Sequence, residues 1–86
     1  MYIHLGQETV IKSDEVIGIF DLESTTISKN TRIFLEKSEK AKKVVNVSFE
    51  LPKSFIVCSK KRDAKVFISQ ISSLTLRKRS GFIDTL

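Results

Sequence analysis

The sequence is short of nearly everything that builds a covalent or metal-centred site. Its 86 residues include one cysteine, one histidine, one proline, three glycines and no tryptophan. A lone Cys58 excludes an intrachain disulfide and any multi-cysteine metal site, and a lone His4 excludes a histidine cluster. Gly6, Gly18 and Gly81 are too scattered to form a phosphate-cradling loop. A nucleophile needs a base within hydrogen-bond reach. His4, however, stands between Ile3 and Leu5 in a strand-like run, where an edge or half-buried residue is the ordinary role. Cys58 sits mid-strand among apolar residues, as a small buried hydrophobe does. Asp14-Glu15 and the Asp21/Glu23 pair lack metal-ligand spacing and suit turns or caps. The chain is therefore expected to be no enzyme and to need no cofactor.

Long hydrophobic runs are missing too. The longest, Phe55–Cys58, has four residues, against the roughly 20 that a membrane helix requires. Met1 leads into YIHLG with neither a basic start nor a small-residue cleavage site. An unpaired cysteine fits a reducing compartment, so the expectation is a cytoplasmic protein without membrane contact. The length suits one domain, residues 1–86. A domain of this size buries only about 60–65% of its unfolded surface. With disulfides and metals excluded, oligomerisation is the support that remains.

What is present is a set of short strand patterns. YIHL (2–5), ETVIK (8–12) and VIGIF (16–20) are separated by Gly6-Gln7 and by Ser13-Asp14-Glu15, both with turn chemistry. VIGIF does not alternate and reads as a strand buried on both faces. A helix capped by Ser24 or Thr25 should follow, with Ile27, Phe34, Leu35 and Ala41 on its apolar face. Glu36 and Glu39 match Lys40 and Lys43 at four-residue spacing. Lys40, Lys42 and Lys43 also suit the negative end of the helix dipole. VVNVSFEL (44–51) alternates, placing Val45, Val47, Phe49 and Leu51 on one face. SFIVCS (54–59) and AKVFIS (64–69) form a hairpin with apolar residues on both faces. SSLTLRKRS (72–80) predicts a short helix of weak amphipathicity. The fold class is α+β: a small sheet of about six short strands, one long amphipathic helix and a short C-terminal helix. One such helix covers one face, so the second face calls for another copy of the chain.

Charge is unevenly placed. Residues 1–43 carry seven bases and seven acids, whereas residues 44–86 carry eight bases and three acids. The excess forms two clusters, Lys60-Lys61-Arg62 at the hairpin turn and Arg77-Lys78-Arg79 in the last helix, with Lys53 and Lys65 flanking the first. Either cluster alone is ordinary, as a solvated tip or a compensated helix end. Together in one half of the chain they favour an anionic partner. A basic β-ribbon tip can follow a phosphate backbone. The phenylalanines occupy apolar-patterned positions, which argues against base-stacking platforms and for double-stranded DNA. No RNA-recognition signature is present.

MYIHLG (1–6), DEVIGIFDLES (14–24), LPKSFIV (51–57) and SSLTLRKR (72–79) resemble the small bacterial extracellular matrix regulatory (Rem) proteins, and most closely the B-type branch of Gram-positive bacteria. The likeness spans nearly the whole chain, and none of the four segments is a catalytic motif. It implies a cytoplasmic DNA-binding regulator of extracellular matrix and biofilm genes. It also implies a homo-oligomer, with a heptameric ring as its candidate form. Repetition of a weak basic patch around a ring strengthens binding through effective concentration. In the A-type branch the ring presents arginines to DNA. Here those positions fall at Glu15 and near Glu50-Leu51, with Lys53 the nearest cation. DNA contact would then move to Lys53, Lys60, Lys61, Arg62 and Lys65, with Arg77, Lys78 and Arg79 as a second group. The alternative is a protein-interaction module that co-assembles with an A-type relative and binds no DNA itself.

Overall fold

The computed structural model describes residues 2–22 and 28–80. Eight elements follow in order: β1 (Tyr2–Gly6), β2 (Thr9–Lys12), β3 (Val16–Asp21), α1 (Lys29–Lys40), β4 (Val44–Asn46), β5 (Ser54–Lys60), β6 (Asp63–Ser69) and α2 (Ser73–Ser80). The expected α+β domain of six short strands and two helices is present. The strands, however, divide between two sheets rather than one. β1 and β2 form a separate antiparallel ribbon, and the other four strands run in the order β3-β5-β6-β4. A single 3-10 turn at Ser13–Glu15 separates β2 from β3 and carries the chain out of the ribbon.

β4 pairs with β6 in parallel, because the chain crosses from one edge of the sheet to the other through α1. The main core cluster fills one face of the sheet, while Phe55 and Val66 are buried on the other, as the apolar pattern on both faces of the hairpin predicts. Ile3 and Leu5 of β1, Ile19 of β3, Val47 just after β4, Ile56 and Cys58 of β5, and Leu76 of α2 form one buried cluster. Strand alternation places these residues inward, while Tyr2, His4 and Val10 of the ribbon face out. Two buried serines join the layers. Ser69 Oγ donates to the Leu5 carbonyl at 2.6 Å and Ser54 Oγ to the Ile71 carbonyl at 2.7 Å. The two serines are register partners at the base of the β5–β6 hairpin.

The helices exchange their expected roles. No residue of α1 is buried, Ile33 and Phe34 are exposed, and its main sheet contact is the edge strand β4. α2 has the weaker pattern yet packs on β1 and β3, with Leu76 fully buried. One well-placed leucine suffices there because the β1–β2 ribbon supplies the rest of the cover. The proposed caps Ser24 and Thr25, and Ile27, lie outside the described residues. The described helix is capped by Ser28, whose Oγ accepts from the Thr31 N–H at 3.2 Å. It ends with Lys42 in the left-handed region, the Lys43 N–H reaching the Ser38 carbonyl and the Lys42 N–H the Glu39 carbonyl, each at 2.9 Å.

Two strand expectations are corrected. β3 is an edge strand covered on one side, so Ile17 and Phe20 remain exposed instead of buried. The Phe20 ring folds back over Gly18, where an added Cβ would come within 2.6 Å of it, and stacks on Phe55 at 4.9 Å. The run 44–51 is a strand only to Asn46. Ser48 Oγ accepts the Glu50 N–H at 3.0 Å, and this local turn leaves Phe49 and Leu51 exposed.

Candidate nucleic-acid interface

β5 and β6 stay in register up to Lys60 opposite Asp63, which leaves Lys61 and Arg62 as a two-residue turn. Their φ values are 49° and 70°, both left-handed, as the I′ form of a hairpin turn requires. Asn-Gly is the usual choice there, and a residue with a Cβ costs on the order of 1–2 kcal/mol in that region. Cations thus occupy positions that backbone sterics assign to glycine. All three of Lys60, Lys61 and Arg62 are exposed, and among the described residues none has an acidic partner. The acid of the turn is engaged elsewhere, with Lys43 Nζ lying 3.4 Å from Asp63. Because the chain leaves the helix at Ala41, Lys43 meets Asp63 instead of pairing with Glu39 one helical turn away.

The predicted residues do not form one patch. Lys65, facing Cys58 across the hairpin, lines the same cleft as Lys60 and Lys61. Lys53 precedes β5 at the opposite end of that seven-residue strand, about 20 Å from the tip at ~3.3 Å per residue. α2 also leaves from that end, and its two arginines, though exposed, reach across to backbone carbonyls of neighbouring strands. Arg77 donates to the Ile19 carbonyl at 2.7 Å and Arg79 to the His4 carbonyl at 2.8 Å. They join α2 to β3 and β1. Lys78 is exposed between them.

Two cations near the tip were not anticipated. Lys12 lines the cleft beside the tip from the β1–β2 ribbon, and Lys43 joins through Asp63. The outward position of Lys12 in an alternating strand could have exposed its side chain, but only the packing of two hairpins brings it to the tip. Among the acids, Glu15 lies near Cys58 and Glu50 on the exposed turn after β4. Burial, with a smaller contribution from Glu15, pushes the Cys58 thiol up to about 11. That keeps it protonated and unreactive at neutral pH. His4 Nε2 is 2.7 Å from the Gln7 carbonyl, a local contact within the ribbon. Among the described residues no group of three or more histidines, cysteines and acids could hold a metal ion, and no helix is long and apolar enough to cross a membrane.

Comparison with known proteins gives a consistent result. A family model described as RemA-like, extracellular matrix regulatory protein A-like, matches residues 2–80. The chain is 37% identical over 83 residues to extracellular matrix regulatory protein B of Bacillus subtilis (strain 168). The match covers 96% of this chain and 94% of that protein.

Proposed function

This chain belongs to the RemA-like family of extracellular matrix regulatory proteins, and from that premise we propose that it is a regulator that binds double-stranded DNA as a homo-oligomeric ring. The observation that carries the reading is the β5–β6 tip: three exposed cations without acidic partners, two of them held in a turn that would relax with glycine. The tip contacts the phosphate backbone and supplies affinity more than base specificity. Lys65 lies close enough to add to the same field. Lys53 and the α2 cluster are remote from it, with Lys78 the free cation of the second group.

Surface that one chain leaves uncovered supports the ring reading. Phe20, Ile33, Phe34, Phe49 and Leu51 are all exposed, more apolar side chain than scattered surface residues explain. A head-to-tail contact closing on itself would cover them in every subunit. The same surface favours a second reading, co-assembly with an A-type relative without DNA binding. Sedimentation of the purified chain with a labelled duplex separates the two. A multi-subunit species that takes up the duplex is expected. A multi-subunit species that leaves it free favours the second reading, and a monomer that leaves it free overturns both.

A further inference from the structure

The β1–β2 ribbon and the β5–β6 hairpin do not meet along their whole length. Between them lies a cleft of about 490 Å³, within the size range of small-molecule sites. Its chemistry is divided. Lys12, Lys60, Lys61 and Lys65 supply ammonium groups, while half-buried Ile11 and Phe67 supply an apolar wall and the outward-facing Tyr2 and Val10 its open rim. Among the described residues, Glu15 and Asp63 are the acids lining it. Four lysines against two carboxylates leave two positive charges in excess. Asp63 also meets Lys43, which stands outside the lining, so part of its charge is offset from elsewhere. Glu15 lies toward Cys58.

We propose that this cleft binds a small phosphate ester with a flat aromatic body, a mononucleotide in chemical class. A phosphate monoester carries about −1.5 to −2 charge at neutral pH, which matches the excess of the lining. Lysines bind phosphate as mobile point charges. The aromatic body has a place against Tyr2 and Phe67 that inorganic phosphate leaves unused. The cleft shares Lys60, Lys61 and Lys65 with the tip, so a duplex held by the tip and a nucleotide in the recess would draw on the same ammonium groups. Lys12 marks the difference: it belongs to the cleft and not to the turn.

The inference does not require DNA binding, and its test contains no DNA, so the failure of one leaves the other standing. The full chain is titrated with adenosine monophosphate and, separately, with inorganic phosphate. Calorimetry gives the affinities and amide NMR shifts give the location. Adenosine monophosphate is expected to bind at least about tenfold more tightly than phosphate, a difference of ~1.4 kcal/mol. Its shifts should cluster at Tyr2, residues 10–12, residues 60–65 and Phe67. Lys12→Ala should weaken it about tenfold, and Lys12→Arg, which keeps the charge, should largely restore it. Equal affinity for phosphate and the nucleotide, shifts outside the cleft, or an unchanged affinity in Lys12→Ala would each overturn the proposal.

Discussion

The hairpin tip and α2 carry the same kind of charge and use it in opposite ways. Each presents three consecutive cations, Lys60-Lys61-Arg62 and Arg77-Lys78-Arg79. In α2 the two guanidinium groups have acceptors, the carbonyls of Ile19 and His4, and they join the helix to two strands. Among the described residues the tip cations meet no such acceptors, and the backbone carries a conformational cost to hold them out. A basic run in a sequence is therefore not yet a surface. What decides its role is whether the fold offers it something to bind.

Four variants sharpen this contrast. The largest effect is expected from reversing the tip. Lys60→Glu, Lys61→Glu and Arg62→Glu together should lower duplex affinity more than a hundredfold, read by anisotropy, with the far-ultraviolet dichroism unchanged. An undiminished affinity in that folded variant would remove the tip from the interface. Next is the anchor of α2. Leu76 is fully buried, so Leu76→Ala should cost about 3 kcal/mol in urea unfolding. A loss near zero would show that α2 is not a core element. Arg79→Ala should follow, costing about 1 kcal/mol because the bond it removes is solvent-exposed and water takes its place, with little change in DNA affinity. The reverse pattern, intact stability and weakened DNA binding, would move α2 into the interface. Smallest is Arg62→Gly, which should stabilise the chain by roughly 1 kcal/mol through relief of the left-handed turn. The same change should weaken DNA binding a few-fold by removing one phosphate contact.

Much of the fold was legible because it rests on local signals. Alternation set the inward residues of β1 and β5, and turn chemistry placed the breaks between strands. The division into two sheets was not legible, since it depends on how the β1–β2 ribbon packs over its neighbours. The helix roles were misjudged for a related reason. Periodicity reports a helix's capacity to bury a face, not whether a face is available. α1 keeps Ile33 and Phe34 exposed, whereas α2, with one inward leucine, closes the core. Ser54 and Ser69 gave no sequence signal of burial, because their hydroxyls are satisfied by carbonyls distant in the chain. At the candidate site the run Lys60–Arg62 was readable as an exposed turn. The bonds of Arg77 and Arg79 to the Ile19 and His4 carbonyls and the approach of Lys12 and Lys43 were not, because each depends on long-range contacts.

The most direct test of the account is the salt dependence of duplex binding. If the assembly neutralises about six phosphates, log K should fall against log salt with a slope near −5, roughly a thousandfold loss between about 50 and 200 mM. No binding at the lower salt, or binding indifferent to salt, would contradict a phosphate-contacting tip.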